Sequence, residues 1–232
     1  MGFHSKMIDS NNVKITNLKI TAPGDSPNTD GIHLSNATNV NIIDTVIGTG
    51  DDCISIGTGS TNIYVSGLKC GPGHGLAVGS LGKRPDELSV GNITFINCLV
   101  TGTTNGCRIK SYHASPVLTA TAITYQDITM DNVANPILID QHYFSKTNPE
   151  QSNVKISDVH FRNIKGTTSS KIPILLNCST KVPCDNIELA DIDLKPLAPL
   201  TAASLSSACV SATNLKFGGT VNPPAPTSCT PN

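Results

Sequence analysis

With 232 residues, 14% of them charged, and a net charge of -1, the chain is long enough to bury one sizeable core. It lacks the basic surplus of a nucleic-acid binder or a membrane-surface protein. No run approaches the roughly 18–20 apolar residues of a membrane-spanning helix.

The opening "MGFHSKMIDS" has no apolar stretch, so it is not a leader peptide. From there the chain repeats itself. "VKITNLKI" (13–20) is followed by "VNIIDTVI" (40–47), "IYVSGLKC" (63–70), "ITFINCLV" (93–100), "ITYQDITM" (123–130), "VKISDVHF" (154–161) and "IELADIDL" (187–194). Their starts lie 27, 23, 30, 30, 31 and 33 residues apart. Each alternates apolar and polar positions and changes phase midway, which predicts strands with a bend or short turn. Shorter strands lie between them: "GIHLS" (31–35), "CISIG" (53–57), "GLAVGS" (75–80), "CRIKS" (107–111) and "PILID" (136–140). Self-similar strands at this period predict a solenoid of stacked coils, an all-β parallel β-helix. A propeller needs about four strands per ~40–45 residues, and these coils are too short. Asn12, Asn39, Asn62 and Asn92 each precede a strand, either as simple turn residues or as a stacked amide ladder at a corner. The repeat dissolves after about Leu197, so residues 1–200 are expected to form the β-helix and 201–232 a cap and tail. The chain begins directly on a coil, and further coils are expected before it.

Aligned on their apolar positions, Ile32, Ile54, Leu76 and Cys107 form one inward column. Asp30, Asp52 and His74 form another, each 22 residues from the next. Stacked coils are ~4.8 Å apart, so these residues sit on successive rungs, with Asp51 beside them. The outward columns run His33, Ser55, Ala77, Arg108 and Ser35, Gly57, Gly79, Lys110. Asp51 and Asp52 cannot both face the cleft on a straight strand, which demands a corner before Cys53, with Gly31 and the "GTG" glycines permitting it. Repulsion among the three carboxylates predicts at least one raised pKa, an acid beside ionised partners as glycoside hydrolysis requires. Turn-capping aspartates and a calcium site are the alternatives.

"NTDG" (28–31), "GDDC" (50–53), "GHG" (73–75) and "RIK" (108–110), in this order, resemble the signature of the polygalacturonases of glycoside hydrolase family 28. The resemblance covers about residues 2–200 and is nearest to plant pollen-type exopolygalacturonases. It implies a right-handed parallel β-helix, hydrolysis of α-1,4-linked galacturonic acid in pectin with inversion, and no metal or cofactor. It assigns Asp51 as general acid, Asp30 and Asp52 as the pair activating water, and His74 as a partner of the acid. Arg108 and Lys110 would bind substrate carboxylate, and Tyr143 would be a further substrate-binding residue. It pairs Cys53–Cys70, Cys178–Cys184 and Cys209–Cys229. Cys98 and Cys107 are then free, Cys107 as a buried thiol. Phe144 stands where plant members often have cysteine. A secreted monomer acting on pectin or oligogalacturonides is expected, with no nucleic-acid or membrane partner. Sequons at Asn36, Asn92 and Asn177 and the even cysteine count agree with secretion. Endo action, a calcium-dependent lyase and a truncated, inactive pectin-binding protein are the competing readings. His33 is assigned to the outer sheet, Tyr125 to the surface or packing, and Lys83-Arg84 to a solvated turn, with substrate contact as the alternative. His113 and His142 receive no role.

Overall fold

The computed structural model describes residues 2–144 and 150–230. Its first coil contains β1 (Gly2–Ile8), β2 (Asn11–Thr16) and β3 (Lys19–Thr21). The second contains β4 (Thr29–Ser35), β5 (Thr38–Ile43) and β6 (Val46–Gly48), and the third β7 (Ile54–Ile56), β8 (Thr61–Ser66) and β9 (Lys69–Cys70). Beyond these, the second and third strands of each coil merge. The pairs are β10 (Leu76–Leu81) and β11 (Val90–Thr101), β12 (Asn105–Tyr112) and β13 (Leu118–Val133), β14 (Asn135–Tyr143) and β15 (Val154–Thr168), and β16 (Ile174–Asn177) and β17 (Cys184–Pro196). The last coil has β18 (Ser207–Val210), β19 (Ala212–Thr213) and β20 (Lys216–Asn222). One sheet runs β1-β4-β7-β10-β12-β14-β16-β18, the other β2-β5-β8-β11-β13-β15-β17-β19. Every pairing between these strands is parallel, and the coil is a right-handed β-helix. Strands β18 to β20 still stack on β16 and β17, so the ladder continues past residue 200.

The phase change midway along each repeat is a residue in the left-handed region. Asn17, Asp44, Gly67, Asn97, Asp127, Asn163 and Asp191 all have φ between 47° and 68°. Asn and Asp tolerate this conformation because their short side chains hydrogen-bond locally, and glycine has no Cβ to clash. The sixth repeat is not where its sequence pattern placed it. Ile123 pairs with Val159, and Val159 with Ile187. The equivalent segment is therefore 159–166, not 154–161, and the last two spacings become 36 and 28. The slip arises because Asp158, also at positive φ, belongs to the other corner, so alternation looks alike on both its sides.

That other corner is the amide ladder. Asn39 Nδ2 donates to Asn12 Oδ1 (3.2 Å), Asn62 to Asn39 (3.0 Å) and Asn92 to Asn62 (2.7 Å). Inside, one column stacks Phe95, Tyr125 and Phe161, with ring centroids 4.9 and 5.4 Å apart. Tyr125 is fully buried, and its hydroxyl crosses the core to donate to the Arg108 carbonyl at 3.0 Å. The packing reading of Tyr125 is the one realised, and the surface reading is not. Ile32, Ile54, Leu76 and Cys107 form the inward column as expected. The three disulfides are Cys53–Cys70, Cys178–Cys184 and Cys209–Cys229, with Cys98 and Cys107 free and buried.

Candidate active site

The first sheet supplies the site from successive coils. Asp30 and Asp52 share the sequence parity of inward residues, yet their side chains turn outward into the cleft, which is possible only because the backbone corners there. Gly31 lets the next turn of chain approach: a Cβ on it would strike Ile47 and lie 2.5 Å from the Cys53 carbonyl. The Cys53–Cys70 bridge fixes the residue after Asp52 to β9. Gly75, at φ 88°, follows His74 and packs directly on the Asn105 carbonyl.

The carboxylates have three different environments. Asp52 is 2% exposed, and its Oδ2 accepts from Lys110 Nζ at 2.7 Å. Its Oδ1 is buried without a protein partner. Burial pushes the Asp52 carboxyl up in pKa, and Lys110 opposes that. Asp30 accepts from Ser55 Oγ at 2.7 Å, and Ser55 Oγ lies 2.8 Å from His33 Nδ1. Burial, with the like charges of Asp52 and Asp51 adding, raises Asp30 to about 6. His33 is lowered to about 4 by burial and by Lys6 and Lys110. It is thus neutral near pH 6, and its Nδ1–H donates to Ser55, which donates to Asp30. Asp51 is also desolvated, but the hydrogen bond and charge of His74 outweigh that and bring it to about 2. His74 Nδ1 is 3.0 Å from Asp51 Oδ1, and that bond raises the His74 pKa. Asn28 Nδ2 donates to Asp51 Oδ2 at 3.3 Å, and the Asp52 amide to Asp51 Oδ1 at 2.8 Å. One raised carboxyl was expected from repulsion; here burial is the larger cause.

The cations stand on β12. Lys110 is 5% exposed and paired to Asp52, rather than free for a ligand. The Arg108 guanidinium lies 5.1 Å and the Lys110 ammonium 5.3 Å from the Tyr143 ring centroid. Arg108 Nε is buried without a partner. One donor atom each of Asp51, Asp52 and His74 lies within 4.8 Å of the others. Among the described residues they alone could hold a cation, but Lys110 already neutralises Asp52. Asp30, Asp51, Asp52, Lys110 and Tyr143 line one cavity of about 370 Å³. His74 joins them through Asp51, and Arg108 through Tyr143. His33, Ser55 and Asn28 complete the network; Asn28 opens the "NTDG" motif but drew no role from it, and His33 and Ser55 had no motif to flag them. For His33 and Ser55 the outward column beside Arg108 was the only signal. Tyr125 had none, because a residue on the opposite sheet supports Arg108 from behind.

The profile of glycosyl hydrolases family 28 matches residues 2–222. A polygalacturonase of Medicago sativa is 51% identical over 207 residues, covering 86% of this chain and 49% of that one. An exopolygalacturonase of Arabidopsis thaliana is 45% identical over 228 residues, covering 96% and 54%. The crystal structure of an endo-xylogalacturonan hydrolase from Aspergillus tubingensis superposes with a TM-score of 0.77 at 25% identity, covering 96% of this chain and 59% of that one. The chain spans about half the length of the curated relatives it matches.

Proposed function

The chain belongs to glycosyl hydrolases family 28, and from that premise we propose that it hydrolyses the α-1,4 linkages of polygalacturonan, removing units from the chain end with inversion. One observation carries the reading. Three carboxylates from two adjacent coils meet with Lys110 and Tyr143 in one cavity, and Arg108 stands over the same Tyr143 ring. A polyanionic sugar needs that mixture: carboxyls for proton transfer and fixed cations for its own carboxylates.

In the proposed mechanism Asp30 and Asp52 take the proton of the attacking water. Both carboxyls line the cavity, and Lys110, 2.7 Å from Asp52 Oδ2, opposes the burial that favours the protonated form of Asp52. Asp51 protonates the glycosidic oxygen. In the open cleft it is the most acidic of the three, so its proton must come from His74, 3.0 Å away. A sugar covering the pair removes solvent from both charges and favours the neutral pair, with the proton on Asp51. Arg108 and Tyr143 hold the sugar carboxylate and ring.

A second reading, retention through a covalent intermediate, rests on the Asp51–Asp52 approach within 4.8 Å. An inverting acid and base usually stand about 6.5–9.5 Å apart, whereas retaining pairs stand about 5–5.5 Å apart. Proton NMR of the first product decides it: the β-anomer means inversion, the α-anomer retention. Chromatography of products from oligogalacturonides of defined length tests the rest. Monogalacturonate alone is expected. A ladder of intermediate lengths means endo action, an unsaturated product a lyase, and no product an inactive binding protein. We further propose a monomer working outside the cell; three disulfides support an oxidising compartment.

A further inference from the structure

Phe144 follows Tyr143 at the lip of the catalytic cavity and lines it. The residue is 67% exposed, although the cavity is otherwise dominated by polar and charged groups. Its φ is 61°. Of the 21 described non-glycine residues at positive φ, it is the only aromatic one, and 17 are Asn or Asp. Asn and Asp offset this conformation through their side-chain amide or carboxylate, but a phenyl ring has nothing to offer the backbone. The ring touches Tyr112 and Tyr143 but leaves most of its surface to solvent, a small return for a strained backbone. Strain of this kind gathers at ligand clamps.

The surroundings indicate what the ring meets. Phe144 lies nearly parallel to Tyr112, with 8° between planes and centroids 5.8 Å apart, and edge-on to Tyr143 at 4.5 Å. Lys83 Nζ stands 5.8 Å from the Tyr112 ring centroid and lines the same cavity. Glu87 fixes the turn that carries Lys83, accepting from the amides of Gly82 (2.7 Å), Lys83 and Arg84 (3.1 Å each). The Glu87 charge is thus spent on backbone, leaving the Lys83 ammonium unneutralised by it. An apolar ring face beside a cation is complementary to a uronate ring, which has C–H bonds on one face and a carboxylate at its edge.

We propose that Phe144, backed by the parallel Tyr112 ring, forms a platform on which one galacturonate unit of the substrate stacks, its carboxylate turned to Lys83, so that Phe144 is a specificity-determining residue. The proposal rests on the hydrolase reading above. Phe144 touches none of the proton-transferring groups, so its effect falls on binding rather than on the chemical step.

The test is steady-state kinetics on oligogalacturonides with wild type, Phe144→Ala, Phe144→Asn, Phe144→Tyr and Lys83→Gln, together with the Tm of each. Phe144→Ala and Phe144→Asn should raise KM about 3–10-fold with kcat within about twofold, the range of a lost aromatic contact. Phe144→Tyr should retain wild-type KM. Phe144→Asn suits positive φ and should raise Tm, which separates lost stacking from lost folding. Raised salt should shrink the Lys83→Gln effect and leave that of Phe144→Ala intact. Unchanged KM in both the Ala and Asn variants of an active enzyme, or equal loss in the Tyr variant, overturns the platform and leaves the hydrolase reading standing. A wild type that neither binds nor cleaves oligogalacturonides overturns that reading and the platform with it.

Discussion

Arg108 and Lys110 are two residues apart on one strand, yet their removal should read differently. Arg108→Ala takes away the charge-assisted contact proposed to a sugar carboxylate, worth about 1.5–3 kcal/mol, and should act mainly on KM. Lys110→Ala strips from Asp52 its salt-bridge partner and leaves a buried carboxylate whose pKa rises further. Its kcat should fall as well, and steady-state kinetics on one oligomer separates the two cases. Asp30 offers a test with the opposite sign. Its carboxyl titrates at about 6 in the fold against an ordinary 3.8, so the native state binds the extra proton and loses stability as pH rises from about 4 through 6. Asp30→Asn should therefore be more stable than wild type by roughly 1–3 kcal/mol at pH 7, while losing activity, and should show no such gain near pH 3. Denaturant melts at both pH values measure this, and a less stable variant at pH 7 contradicts it. His74 sets the alkaline side. Its pKa is raised by Asp51, so the pair keeps its shared proton above the ordinary histidine range. In His74→Asn the proton must sit on Asp51 alone, and the alkaline limb of kcat should move towards the ordinary carboxyl range of about 3.9. These couplings were only partly legible in the sequence. The columns of 22 residues put Asp30, Asp52 and His74 on successive rungs. No pattern says which carboxyl a serine, a histidine or a lysine will reach, because that depends on rotamers at a corner.

At the scale of the strand the alternation is informative and also deceptive. It reveals seven long segments, which fall on the second sheet, and five short ones, which fall on β4, β7, β10, β12 and β14 of the first but miss β1, β16 and β18. It fails at residues 154–161, where two kinks five residues apart produce two identical-looking stretches, and only pairing with β13 and β17 chooses between them. The need for a corner before Cys53 was legible, because adjacent residues cannot share a face of a straight strand. The bridge behind that corner has an energetic weight. Cys53–Cys70 closes a 17-residue loop, for which loop entropy suggests about 3 kcal/mol. Replacing both cysteines by alanine should cost roughly that in a chemical melt and should lower kcat too, since it frees the neighbour of Asp52. Removing Cys209–Cys229 should cost stability alone, because that bridge lies in the last coils, away from the cavity. Thiol titration of the unfolded, unreduced protein should give two reactive groups, Cys98 and Cys107.

For the molecule as a whole, the site is written on one face of one sheet, from Phe3 on β1, through Asp30 on β4, to Tyr143 on β14. No hinge or second lobe separates these strands; each contributor is fixed by the coil before it and the coil after it. The class of fold was legible because it repeats, and repetition survives many substitutions in any single coil. The same construction makes the protein unequally tolerant of editing. A duplicated coil placed after Tyr143, between β16 and β18, would push the last rungs along the axis and leave the cavity untouched. A 22-residue coil duplicated between Asp30 and Asp52 would slide β4 one rung away, pull Asp30 off Ser55, and separate the two carboxylates proposed to share the water. The first insertion should yield an enzyme of nearly wild-type kcat, and the second a folded protein with no turnover. Length is thus a neutral variable at one end of this solenoid and a forbidden one across three consecutive turns of it.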